Sequence, residues 1–273
     1  MTRLAPHPHA ALEYWFFKVN AGPVALLVDW IARRRASENV LRVSIHSPQG
    51  RAVLFETQTP LFGERSFLHA ERTVGRAGNV EWELEIEPGD GWIAPDIFPA
   101  ALLGMTDLTL VSAPLVFFTG WIRHSDRQFE VQRSPGMVSH YWGRGLAPEW
   151  WWVSANQFDR EEVAVECTVL RTGLWGLPLR FPLAYLHLGR GKVREMAIAP
   201  LAGAQVTGSS ETFEIRFRRF GAETITLSAR GRDYGDLGDG IVNTLVGDLE
   251  IREGRKIIGR AEGTAGLERR APK

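Results

Sequence analysis

Alternation of apolar and polar side chains recurs along this chain, and no other pattern restricts its fold as much. Across Val40–His46, Leu41, Val43 and Ile45 alternate with Arg42, Ser44 and His46. Across Asn79–Glu87, Val80, Trp82, Leu84 and Ile86 alternate with Glu81, Glu83, Glu85 and Glu87. Across Thr212–Phe220, Phe213, Ile215 and Phe217 alternate with Glu214, Arg216 and Arg218. Successive side chains of a strand point to opposite faces, so a period of two predicts antiparallel strands with one buried and one wet face. Turn signals such as Ser47-Pro48-Gln49-Gly50, Pro88-Gly89-Asp90-Gly91 and Arg252-Glu253-Gly254-Arg255 punctuate these runs. The 28 Gly and 15 Pro suit that many turns. Only Pro99–Met105 reads as a short helix. The expected class is all-β.

At 273 residues the chain exceeds one domain of the commonest size, roughly 100–150 residues. The expected seam is Arg123–Gln132, where His124-Ser125-Asp126-Arg127 interrupts the apolar run Leu115–Ile122. It gives two antiparallel barrels or strongly bent sheets, 1–125 and 126–273. No repeat of about 20–50 residues is visible, which argues against a propeller or solenoid.

With 44% hydrophobic and 23% charged residues, the chain has the composition of an ordinary globular protein. Its 32 basic and 32 acidic residues cancel, so no global field attracts nucleic acid or an anionic membrane. Its apolar stretches fall short of the roughly 18 clean residues of a transmembrane helix. Met1–His9 has no apolar core of a signal peptide, and the single cysteine, Cys167, has no internal partner. A reducing cytoplasm is the expected location.

Familiar catalytic signatures are missing: there is no HExxH, GxxxxGK[ST], GxSxG or GxGxxG after a strand. His7-Pro8-His9 has no carboxylate partner nearby in its segment and reads as a tail, not a metal site. Asp233, Asp236 and Asp239 lack calcium-loop spacing and read as a solvated turn.

Four places carry chemistry. Asp29 interrupts the apolar strand Val24–Ile31, so it is paired, protonated or at a strand end; Arg33, Arg34 and Arg35 are the nearest partners. Glu13 shares a strand face with Trp15 and Phe17 and poses the same question. A carboxylic acid held neutral by apolar walls delivers protons. His140 stands just ahead of an aromatic cluster, and imidazole is the general acid or base of neutral pH. Ser139 and Tyr141 lie on the strand face opposite His140.

The fourth place is that cluster itself. Ten Trp and fourteen Phe stand against four Tyr, with Trp150, Trp151 and Trp152 consecutive and Trp142 eight residues earlier. Consecutive Trp on a strand must occupy both faces, either as two packed layers or with one face lining an apolar ligand pocket. Asn156 follows on the same strand as a polar group requiring partners.

Together, three segments resemble tocopherol cyclase-like proteins. Leu12-Glu13-Tyr14-Trp15-Phe16-Phe17-Lys18 is similar to that family's opening F-E-G-W-Y-F-K. Gly136–Phe158 resembles its G-Y-x-E-K-N-W-G…F-P…W-x-W-x-Q-x-N-x-F stretch, and Asn243–Leu249 its D-T…G-D-L segment. The resemblance implies two lipocalin-like β-barrels around an apolar pocket, as in carotenoid hydratases and fungal pericyclase-type proteins. It also implies a cyclase or isomerase without metal or organic cofactor, acting on an isoprenoid or polyketide-like hydrophobic small molecule. A lipophile carrier and a hydratase use the same pocket. Trp15, Phe17, Tyr141, Trp142, Trp150, Trp152 and Asn156 are the expected ligand contacts. Ser139 stands where the family motif carries its carboxylate, so Glu13, Asp29 and His140 are the candidate acids.

Overall fold

The computed structural model describes residues 4–89, 91–92, 109–145, 147–160, 163–174, 177–188, 193–195, 204–209, 211–217 and 223–271. Contacts divide the chain into one unit of Met1–Ala94 with Leu108–Leu146, and another of Pro95–Asp107 with Ala147–Lys273. The first holds β1 (Leu12–Ala21), β2 (Val24–Arg33), β3 (Glu38–Ser47), β4 (Gly50–Thr57), β5 (Phe67–Leu68), β6 (Arg72–Ala77), β7 (Val80–Pro88), β8 (Thr109–His124) and β9 (Arg127–Gly143). They form one antiparallel sheet in the order β4-β3-β2-β1-β9-β8-β7-β6-β5. β3 and β4 approach β6 although they lie far apart in that order, because the sheet curls on itself.

The inner face of that curl is the core. Trp15, Phe17, Trp30, Trp82 and Phe118 are buried there, with Phe17 touching the last three. The alternating segments supply it: Leu41, Val43 and Ile45 from β3, and Val80, Trp82, Leu84 and Ile86 from β7. Gly75 is required by this packing, since a Cβ there would stand 2.1 Å from the Trp82 ring.

The outer face differs from the expected wet surface in one region. β7 presents its glutamates to Arg72, Arg123 and Arg133 at partly exposed positions. On β3, however, Arg42, Ser44 and His46 are buried. Arg42 lies directly opposite Asp29 across the β2–β3 pair and donates to its carboxylate at 2.8 Å. Pairing is what lets both charges be buried.

The second unit holds β10 (Glu149–Ala155), β11 (Val163–Leu174), β12 (Leu177–Leu188), β13 (Val193–Glu195), β14 (Ala204–Gly208), β15 (Thr212–Phe217), β16 (Ile225–Arg230), β17 (Gly235–Asp236), β18 (Ile241–Glu253) and β19 (Lys256–Arg270). Its order, β13-β12-β11-β10-β19-β18-β16-β15-β14 with β17 beside β18, follows the plan of the first unit. β12 reaches β14, so this sheet also curls. Its core is more aliphatic, with Val153, Val165, Val169, Leu186, Ile215, Leu227, Ile251 and Leu267. The all-β, lipocalin-like expectation therefore holds.

The seam needs correcting. His124–Arg127 is the turn of the β8–β9 hairpin inside the first unit, with Ser125 in the left-handed region, and the chain passes to the second unit at Ala147. Hairpin turns and linkers share the same turn-forming residues, which is why the segment reads as a break. Pro99–Met105 lies outside the described residues. Among the described residues no helix is long and apolar enough to cross a membrane.

Candidate functional site

β1 runs antiparallel to β9 with Glu13 opposite Trp142 and Trp15 opposite His140. Directly opposed residues share a sheet face, so these four side chains meet inside the first unit. Glu13 and His140 have no exposed surface. The His140 ring stacks on Trp15, with centroids 4.9 Å apart, and its Nε2 stands 2.9 Å from Glu13 Oε1.

The segment before β1 completes the group. Ala11 N–H donates to Gly143 O and Ala10 N–H to His7 O, which turns the chain back over the strand end. Trp15 Nε1 donates to Leu4 O at 3.0 Å. His7 consequently sits over Glu13, its backbone N–H 2.8 Å and its Nδ1 3.0 Å from Oε1. Its ring lies flat on Trp142, with centroids 3.9 Å apart and planes 6° from parallel. The second carboxylate oxygen accepts from Arg34 at 2.9 Å. Arg34 is held by its own N–H donating to Ala11 O.

Burial pushes the Glu13 carboxyl up, but hydrogen bonds from His140, from the His7 backbone and ring, and from Arg34 outweigh it and hold the group below its ordinary value. Glu13 is thus a carboxylate at neutral pH, not the neutral proton donor that its apolar setting suggests. An ionised carboxylate only accepts hydrogen bonds, so the nitrogens facing it carry hydrogens: Nδ1 of His7 and Nε2 of His140. With Nδ1–H turned to Glu13, His7 presents Nε2 away from the carboxylate, on a side chain that is 39% exposed.

The other sequence candidates lie elsewhere. Asp29 is on the outer face of the same sheet, because it opposes Phe16 where Trp30 opposes Trp15, and it is paired with Arg42, not with Arg33 or Arg34; the Arg35 side chain lies outside the described residues. Tyr141 is also on the outer face, edge-on to Tyr14 and donating to Gly145 O at 3.0 Å. Ser139 donates to Ser112 there at 2.8 Å. Phe17 is a core side chain beneath the cluster. In the second unit Trp151 faces the core, while Trp150, Trp152 and Asn156 share its opposite face, all buried. Trp150 donates to Glu268 and Trp152 to Glu166, at 2.9 and 3.3 Å; Ser154 donates to Asn156 Oδ1 at 3.4 Å. The packed-layer alternative describes Trp151.

His7 and Arg34 escape a reading by periodicity. The available signal is a His-Pro-His tail six residues before an inward glutamate, and the structure supplies the carboxylate partner that this tail lacks in sequence.

The family model described as tocopherol cyclase-like matches residues 55–217, more than half of the chain. The chain belongs to the tocopherol cyclase-like family. The matched span includes His140 but not His7, Glu13 or Arg34. Kievitone hydratase from Nectria haematococca is similar in structure, with a TM-score of 0.68 at 11% identity over 98% of this chain and 90% of that one. An AttH-like protein from Nitrosomonas europaea gives 0.63 at 13% identity, covering 97% and 93%. CghA with Sch210972 gives 0.51 at 12% identity, covering 98% and 94%. At such identities the likeness shows the fold. No curated protein matches the chain by sequence.

Proposed function

We propose that this protein is a proton-transfer enzyme, an isomerase or cyclase, acting on a hydrophobic isoprenoid or polyketide-like small molecule. The observation that carries it is the buried Glu13 carboxylate accepting from two imidazoles that are themselves stacked on Trp15 and Trp142. A carboxylate that fixes a ring's tautomer and stabilises its imidazolium is the usual support of a histidine base. His7 Nε2 takes a proton from substrate resting against the Trp142 ring, Glu13 stabilises the resulting imidazolium, and the same nitrogen returns the proton at another carbon. His140 and Arg34 keep Glu13 ionised and in place through the cycle.

Acid strength narrows the reaction. An imidazolium is by its chemistry a weaker acid than a carboxylic acid. It suits enolisation beside a carbonyl or protonation of a conjugated system better than protonation of an isolated double bond. Water addition to a conjugated enone is the second reading, favoured by the half-exposed His7 beside the buried carboxylate and by the hydratase among the structural neighbours.

The test is incubation of chelator-treated protein in D2O with lipophilic enones, prenylated phenols and polyenes, followed by mass spectrometry. Deuterium uptake or an isomer of unchanged mass, lost in His7→Ala and Glu13→Gln, supports the proposal. Addition of one water moves the assignment to a hydratase. Bound compounds recovered unlabelled and unchanged identify a carrier.

A further inference from the structure

Two histidines and a carboxylate that share protons at short range also form the donor set of a metal site. The ligand atoms of His7, Glu13 and His140 all lie within 4.8 Å of one another. Zinc held by two imidazoles and one carboxylate has bonds of about 2.0–2.2 Å, which places tetrahedral donors about 3.3–3.6 Å apart. His7 Nδ1 and His140 Nε2 stand 3.0 and 2.9 Å from Glu13 Oε1. Opening these contacts by a few tenths of an ångström makes room for the ion.

The surroundings suit the exchange. Arg34 holds the other carboxylate oxygen at 2.9 Å, as outer groups do when one oxygen of a carboxylate ligates a metal. Nitrogen-rich, partly buried donors favour zinc-type ions over magnesium or calcium, which prefer oxygen and more ligands. His7 provides the way in, being the one member of the three with exposed surface. Three protein ligands leave a fourth position for solvent.

We infer that His7 Nδ1, Glu13 Oε1 and His140 Nε2 bind a single zinc-class divalent ion in place of the two protons they share. Both histidines enter the complex as neutral ligands, each carrying its proton on the far ring nitrogen, Nε2 of His7 and Nδ1 of His140, so the two rings release no net proton. Binding follows from the donor geometry alone. Its consequence, that the metal-loaded form loses proton transfer, rests on the function proposed above.

The experiment is a titration of chelator-treated full-length protein with Co2+, read by visible absorption and reversed with Zn2+. Intense tetrahedral bands saturating at one equivalent are expected. His7→Ala and Glu13→Gln should weaken binding by at least about 100-fold, the upper end of what losing even an outer-shell partner costs. His9→Ala should leave binding unchanged, and circular dichroism should show all variants folded. No saturable binding, a weak octahedral spectrum, unchanged affinity in folded His7→Ala, or loss in His9→Ala through simple chelation by the tail would each overturn the inference. Proton transfer is measured separately, in the chelator, so failure of the metal site leaves that reaction testable.

Discussion

β1 and β10 occupy the same place in their two sheets, each between the next strand in sequence and the last strand of its unit. β10 turns Trp151, Val153 and Ala155 towards the core. β1 turns Trp15, Phe17 and Val19 inward in the same way, and each row is headed by a buried glutamate, Glu13 in β1 and Glu149 in β10. The last strands differ to match: β9 sets Trp142 and His140 against Glu13 and Trp15, whereas β19 sets Arg269 and Leu267 against Trp151 and Val153. The partners of the two carboxylates differ as well: Glu149 accepts from Arg171 at 3.1 Å, whereas Glu13 accepts from His7, His140 and Arg34. A buried carboxylate carries a desolvation cost in either unit, so it is the pair of imidazoles around Glu13, and not the burial of a carboxylate as such, that marks chemistry.

The comparison breaks most visibly on the first sheet's outer face, where burial pushes the Lys18 amine down to about 7. Between about 7 and 10.5 the unfolded chain holds a proton at this site that the folded chain has released. Stability should therefore rise by about 1.4 kcal/mol per pH unit across that window, and the burden should be fully present below it. Lys18→Met should flatten this slope in denaturant titrations at successive pH values and stabilise the protein at pH 7. Next in size, Glu13→Ala should cost about 3 kcal/mol, the low end for breaking a buried charged pair because Arg34 and His7 can turn to solvent. Urea unfolding followed by tryptophan fluorescence measures it, and a cost near zero would make the cluster dispensable to its own unit.

Gly75→Ala sharpens the packing contrast. Its Cβ would meet the Trp82 ring, so about 1–3 kcal/mol of overpacking is expected, measured as a lowered melting temperature. The smallest effect belongs to the second unit. Arg269 lies over the Trp151 ring with its guanidinium carbon 5.6 Å from the centroid. Arg269→Ala should cost about 0.5–1 kcal/mol in the same unfolding assay. A loss equal to that of Glu13→Ala would remove the distinction between the two units.

The strands and their inner faces were readable because Leu41, Val43, Ile45 and the β7 residues alternate with period two. The anomaly of Asp29 was readable too, since a carboxylate in an apolar strand needs a partner. Its partner was not: Arg42 lies 13 residues away and becomes opposite only through the β2–β3 register. Glu13 and His140 stood out by residue type, but the bond between them spans 127 residues and depends on closure of β1 against β9. His7 carried no periodic signal because its position comes from a backward turn of an irregular segment. Whether Glu13 holds or sheds its proton also required the partners, since burial alone predicts the opposite direction. The seam failed for a local reason: a tight hairpin turn and a linker use the same residues.

The most direct measurement is long-range 15N–1H NMR of the histidine rings in metal-free protein at neutral pH. The account predicts the Nδ1–H tautomer for His7 and the Nε2–H tautomer for His140, both lost or mixed in Glu13→Gln. A His7 ring in the Nε2–H form, unaffected by Glu13→Gln, would contradict the carboxylate-braced histidine pair and the proton-transfer function built on it.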